Sequence, residues 1–391
     1  MSVFDQLRPF VSLCQACGMF PYTIEENLTT KKFAKFSFSF RHAITWWFLM
    51  VISLQVTVSV GIIYSSMEQI GNLTSDQNMP ITATILFAVN WPFYILQMFT
   101  TRWIVFHYRR LRNVVNTVQE VERLFGEEFV VRHKSSITKI FIISFIFIVT
   151  IGIGVLVVMV PVYSSFSVAD MNWMFVAAFL SIVALNSVMF DSTFLLIHLS
   201  YYIIGHYMRL VLWEPIENSG EFNRTPSERT RRMQWLKQNV LIFDYLCRAT
   251  SELNDIFAFP VFYIVTTKFI FVVSMAYAQI QIIIHPNVVL GNYWLMFPFQ
   301  FVVDWARILV VLTAADIPAK QVNLLHERVI VTSCSGFYQT LDENISVATI
   351  LMQIDENRVR LSAFGLFNVG THLIPALMGA AVTYLVILIQ N

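Results

Sequence analysis

The stretch "FGLFNVGTHLIPALMGAAVTYLVILIQN", residues 364–391, closes the sequence and decides how the rest is read. From Phe364 to Gln390 it exceeds the roughly 20 residues that a helix needs to cross about 30 Å of hydrocarbon. Gly365, Gly370 and Pro375 make its first half breakable, and Gly379, Ala380 and Ala381 permit close approach of another helix. One face of the second half, at three- and four-residue spacing, carries Ala376, Ala380, Thr383, Ile387 and Gln390. That face runs from small through hydroxylic and branched apolar to amide. Repeated around a symmetry axis it lines a narrow pore, with a ring of Ile387 gating by dewetting and a ring of Gln390 offering dipoles to an ion. In a monomer the same helix is an ordinary packed span, and periodicity alone favours that reading.

Composition makes the whole chain a polytopic membrane protein. Hydrophobic residues are 56% and charged residues 13% of the 391, against about 45–50% and 25% in soluble proteins. Mean hydropathy is +0.62. Seven segments are long and apolar enough to span, near 43–65, 80–105, 138–163, 172–205, 258–284, 292–314 and 364–390. The first 30 residues hold Asp5, Arg8, Glu25 and Glu26 and no continuous apolar core, so no cleavable signal peptide is expected.

Lysine and arginine set the orientation. The loops 66–79, 164–171 and 285–291 contain neither, whereas the alternate connections are basic. Of 26 basic residues only Lys268 and Arg307 lie well inside a span. The positive-inside rule then places the N-terminus in the cytoplasm and the C-terminus outside. Of the sequons at Asn27, Asn72, Asn223 and Asn344, only Asn72 falls on the outer side, where glycosylation is possible. Cys14, Cys17, Cys247 and Cys334 all fall on the inner side. Cys14 and Cys17 make half a zinc site without a second pair, so no metal is expected.

The predicted fold class is all-α: seven transmembrane helices with a cytoplasmic helical anchor domain. The divisions are a cytoplasmic N-terminal segment at 1–42, spans 1–6 with cytoplasmic extensions at 43–314, an anchor region at 315–362 and span 7 at 363–391. Span 4 stays helix-compatible from Asn172 to Leu212, about 60 Å, and so projects below the membrane. Apolar stripes at Leu111, Val114, Val115, Val118, Val121 and Phe125, and at Met233, Leu236, Val240, Phe243 and Cys247, predict helices that either bundle under the membrane or lie on its inner surface.

Ionisable residues inside spans are costly and point to function or to pairing. Asp191 sits midway along span 4, and Lys268 in the inner half of span 5. Asp304 and Arg307 share a face of span 6, where they either serve function or pair with each other. Lys268 either snorkels inward or pairs with Asp191. Toward the outer half, Asn90, Trp91, Asn186, Tyr277, Gln281, Trp294 and Gln300 offer aromatic faces and amides to a small polar or amphipathic ligand. The competing account is interfacial anchoring for Trp294 and interhelical bonding for the amides.

"TYLVILIQ" (383–390), preceded by "GLF" at 365–367, resembles the Thr-Tyr, five apolar, Gln signature that closes insect gustatory receptors. The motif covers about 25 residues, and length and topology agree over the whole chain. The resemblance implies a tastant-gated, non-selective cation channel of four identical or mixed subunits in the plasma membrane, with span 7 lining one central pore. It implies that Ile387 and Gln390 form the constriction, with Thr383 one turn further in, and that the inner helices make most subunit contacts. A tastant would bind in each subunit's outer-facing pocket among spans 2 to 6. Asn391 replaces the usual Phe at the pore mouth. Lack of an acidic residue after Thr-Tyr favours a bitter, fructose-type or other receptor over the sugar branch.

The alternatives are a seven-helix G-protein-coupled-type receptor, which needs an outside N-terminus, and an odorant co-receptor-like channel subunit. A transporter or intramembrane enzyme lacks paired carboxylates, His-Glu-x-x-His or a glycine-rich phosphate loop. The expected partners are a small-molecule tastant, cations, other receptor subunits and lipid, with no enzyme activity, cofactor or nucleic acid.

Overall fold

The computed structural model describes residues 3–26, 33–57, 96–126, 173–211, 226–284, 293–334 and 354–390, with single positions at 60 and among 139–154 and 345–352. The elements are α1 (Val3–Ala16), β1 (Thr23–Glu26), β2 (Phe33–Ser37), α2 (Ala43–Thr57), α3 (96–106), α4 (Tyr108–Phe125), α5 (Trp173–Leu210), α6 (Pro226–Ile284), α7 (Tyr293–Cys334), a 3₁₀ turn (Glu356–Val359), β3 (Ser362–Ala363), β4 (Phe367–Asn368) and α8 (Leu373–Gln390).

Three rods dominate. At 1.5 Å per residue, the 38 residues of α5, 59 of α6 and 42 of α7 are about 57, 88 and 63 Å long. All exceed the hydrocarbon thickness, so each carries one body from the membrane region into water. The segment 185–210 in α5, 237–277 in α6 and all of α8 are long and apolar enough to cross a membrane. This is a multi-pass membrane protein. The sequence boundary at 314/315 lies within the unbroken α7.

The rods pack on one another. Ile197 and Ile204 of α5, Leu246, Ile256 and Ile264 of α6, and Ile308, Val311 and Leu312 of α7 are fully buried in one core. Close approach of α5 and α7 requires Gly205, because any Cβ there would overlap the Ile317 side chain. The α4 stripe of Val114, Val115, Val118 and Val121 is buried and α4 packs against α6, whose Phe243 and Cys247 are buried too. The Tyr207 hydroxyl of α5 donates to the buried carboxylate of Glu122 at 2.9 Å and ties α4 to α5. Burial raises the thiol pKa of Cys14 and of Cys17.

Two short antiparallel ribbons depart from an all-helical reading. In the first, Thr23 pairs Ser37 and Glu25 pairs Lys35. It docks the N-terminal segment under the bundle: the Tyr22 hydroxyl donates to the Val105 carbonyl at 2.9 Å, and the Tyr22 ring stacks on Tyr108 at 5.1 Å. Gly18 ends α1 at φ +67, where only glycine is unstrained, and its Cα faces Val51 so closely that an added Cβ would meet that side chain at 2.8 Å. The second ribbon, β3–β4, turns through Phe364 and Gly365, both at positive φ.

Candidate functional site

The four expected intramembrane charges come together between α5, α6 and α7. Asp191 is four residues from Ser187 on α5, and Asp304 is three from Arg307 on α7, so each pair shares a helix face. Arg307 Nε donates to Asp191 Oδ1 at 2.7 Å and its Nη1 to Asp304 Oδ1 at 3.1 Å. Lys268 Nζ lies 3.0 Å from the same Asp304 oxygen, so Lys268 turns to Asp304 and leaves Asp191 to Arg307. Gln300 Nε2 donates to Asp304 Oδ2 at 3.0 Å, and Ser187 bridges Asp191 and Arg307 at 3.4 Å. The Phe190 ring sits beneath both cations, 4.9 Å from Lys268 Nζ and 5.6 Å from the Arg307 guanidinium carbon. Two acids face two bases, so the cluster is neutral. A buried cluster of this kind is weak evidence of added stability, though breaking it from one side is costly.

A second polar group lies on the other side of α5. Gln55 of α2 donates through Nε2 to Asn186 Oδ1 and to Met189 Sδ, the latter at 3.1 Å. Its Oε1 accepts from Arg102 Nη2 of α3, and Arg102 Nη1 donates to the Met98 carbonyl at 3.1 Å. Gln55, Arg102 and Asn186 are all buried. The sequence reading missed Gln55 and Arg102. Arg102 lies three residues inside the predicted end of span 2 and passes for an interfacial cation; the amide of Gln55 amid the apolar run 43–65 was the signal that a partner must cross to it.

Of the expected ligand residues, Asn186 bonds Gln55, Gln300 bonds Asp304, and Tyr277 is buried in α6. Gln281 and Trp294 lie on the helical backbones of α6 and α7. Asn90 and Trp91 fall outside the described residues, as do the sequon at Asn72 and the terminal Asn391. A separate apolar cavity of about 110 Å³ is walled by Phe10, Cys14, Val114, Leu196, Ile203 and Phe257 among others, and touches none of the expected ligand residues.

The last helix is different. Across α8 only 6% of its membrane-length window is buried. Leu373 and Leu377 pack on the core and Ala381 is buried, forming its inner face. Thr383, Ile387 and Gln390 are exposed on a face roughly 120° away, at about 100° per residue. The Thr383 hydroxyl donates to the Gly379 carbonyl at 2.9 Å, within its own helix. At its start, α8 is held by α7: Asp316 Oδ2 accepts from the Thr371 amide at 3.0 Å and from the Thr371 hydroxyl. A carboxylate there complements the positive end of the helix dipole. Gly370 is required beside it, since an added Cβ would overlap that carboxylate.

Among the described residues no three His, Cys, Asp or Glu side chains converge as a metal would need. Residues 7–391 match the family model described as "7tm Chemosensory receptor". The structure is similar to that of the insect olfactory receptor OR5 from Machilis hrabei, with TM-score 0.65, 13% identity and coverage of 99% of this chain and 98% of that one. The same receptor solved in complex with eugenol matches with TM-score 0.58, again at 13% identity over 99% and 98% of the two chains. No curated protein matches the sequence.

Proposed function

Because the chain belongs to the 7tm chemosensory receptor family, we propose that it is a gustatory receptor: a tastant-gated, non-selective cation channel of the plasma membrane. Four subunits, identical or mixed, surround a pore lined by α8. The observation that carries this reading is the exposure of α8. An 18-residue apolar helix with so little of its length buried leaves most of its apolar surface for contacts beyond its own bundle. Its graded face of Thr383, Ile387 and Gln390 is turned away from the face packed on its own bundle. Four such faces around an axis give an apolar constriction at Ile387 and an amide ring at Gln390. Asn391 lies next to that ring in sequence, at the outer mouth.

In this reading the N-terminus is cytoplasmic, the C-terminus is outside, and the helices below the membrane anchor subunit to subunit. A small organic tastant binds in the outer half, near Asn90, Trp91, Asn186, Tyr277, Gln281, Trp294 and Gln300. The related receptor's complex with eugenol supports a ligand of that size. Asp191, Lys268, Asp304 and Arg307 form the floor beneath it.

The test is whole-cell recording from cells expressing this chain alone under a tastant panel. A ligand-evoked cation current is expected, and Gln390→Ala is expected to change relative permeability or basal leak at equal surface expression. Unchanged permeability and leak in Gln390→Ala argue against an ion path along this face. Current seen only with a second receptor type present favours the co-receptor-like subunit reading.

A further inference from the structure

One buried cation has no carboxylate partner among the described residues. Asp191, Lys268, Asp304 and Arg307 cancel, and the buried Glu122 of α4 is bonded by Tyr207, but Arg102 carries a positive charge and is only 6% exposed. Its partners are a carbonyl at Met98 and an amide oxygen at Gln55, both neutral. Its Nε is buried without any partner. The seven predicted spans contain no Asp or Glu besides Asp191 and Asp304, and among the described residues no carboxylate bonds Arg102. The hydroxyls of Thr100 and Thr101 on either side turn back to carbonyls of their own helix. A guanidinium does not relieve its burial by losing its proton, and neutral acceptors do not replace a counter-charge in a medium of low dielectric.

Resting on the receptor reading above, we propose that Arg102 is the counter-charge for an anionic oxygen group, carboxylate or phosphate, of a molecule bound among α2, α3 and α5. The guanidinium suits this role, since its planar fork of donors matches such oxygens. Gln55 holds the fork in place with its carbonyl and passes its own N–H to Asn186, one of the residues expected to touch ligand. Arg102, Gln55 and Asn186 thus form a donor-rich group on the inner side of the expected ligand residues, Arg102 lying three residues from the inner end of span 2. The ligand class is an organic acid with an apolar or aromatic body, or an anionic lipid headgroup.

The experiment uses the full chain in phosphatidylcholine nanodiscs at neutral pH. Thermal stability is measured with acetate, hexanoate and benzoate, and with the matched neutral ethanol, hexanol and benzyl alcohol. At least one acid is expected to stabilise the wild type where its alcohol does not. Arg102→Gln is expected to weaken that response about tenfold or more, the worth of a charge-assisted bond, and Arg102→Lys to retain part of it. Without ligand, Arg102→Gln is expected to equal or exceed the wild type in stability, because it removes an uncompensated charge. Nanodiscs containing phosphatidylserine separate the sources: stabilisation of the wild type, but not of Arg102→Gln, by that lipid alone assigns the anion to the membrane. Lack of response to every acid and to the lipid overturns the site, and so does a ligand-free Arg102→Gln that folds but is less stable than the wild type. Neither readout uses current, so an Arg102-dependent acid response in a chain that conducts nothing keeps this site while sinking the channel reading.

Discussion

Replacing Asp304 by asparagine probes the neutral cluster at its centre. Asp304 is wholly buried and takes bonds from Lys268, Arg307 and Gln300. Asparagine keeps the size but removes the charge, leaving two cations against Asp191 alone, with Lys268 Nζ losing its carboxylate partner among the described residues. Breaking a buried pair from one side costs about 3–5 kcal/mol, most of it the desolvation of the ion left behind. The double replacement Asp304→Leu with Lys268→Met removes one ion of each sign and leaves the Arg307–Asp191 pair in place. Exchanging a buried pair for apolar residues of like volume is often neutral. The assay is the fraction of detergent-solubilised protein that stays monodisperse after heating through a temperature series. Asp304→Asn is expected to lose its fold well below the wild type, and the double variant to recover most of the difference. An Asp304→Asn protein as heat-resistant as the wild type, or a double variant worse than both singles, refutes the assignment of these four groups to one electrostatic unit.

Three further outcomes follow from other parts of the molecule. Gly370→Ala and Asp316→Asn each disturb the hold of α7 on the start of α8, and at equal surface expression both are expected to alter tastant efficacy or basal leak in the same direction; opposite effects count against a shared contact. Cys247 is buried in α6, so maleimide labelling at pH 8 is expected to be at least about 100-fold slower in the folded protein than in denaturant. Asn72→Gln is expected to abolish an endoglycosidase-sensitive mobility shift, and a sugar on Asn27 or Asn223 instead would reverse the proposed orientation.

The parts of this fold readable from sequence are those that obey long-range averages. Apolar run length and the placement of lysine and arginine report on spans because they answer to the bilayer rather than to any neighbour. The continuous helix expected over 172–212 appears as Trp173–Leu210 for the same reason. Pairing is another matter. Asp191, Lys268, Asp304 and Arg307 each stand out in the sequence, but which carboxylate meets which cation depends on helix rotation, and Lys268 turned to Asp304. Arg102 stayed hidden because depth near a span end is not written in local composition. The ribbon of Thr23–Glu26 with Phe33–Ser37 also escaped, since its strands are short and its apolar side chains are justified only by the bundle above them.

The unbroken length of α7 makes it a lever arm. It carries Asp304 and Arg307 in the charged floor and, nine residues further on, Asp316 at the start of α8. That separation is about 14 Å along a single rod, and the whole rod is about 63 Å. A tilt of about one degree about the charged cluster therefore carries Asp316 through roughly 0.2 Å and the far end of the rod, about 40 Å on, through roughly 0.7 Å. Bonded to the Thr371 amide and crowded against Gly370, Asp316 has no slack in which to absorb such a movement. In the proposed receptor, a movement beside the ligand would reach the root of the last helix along this one rod, scaled by the distance between a salt bridge and a helix cap.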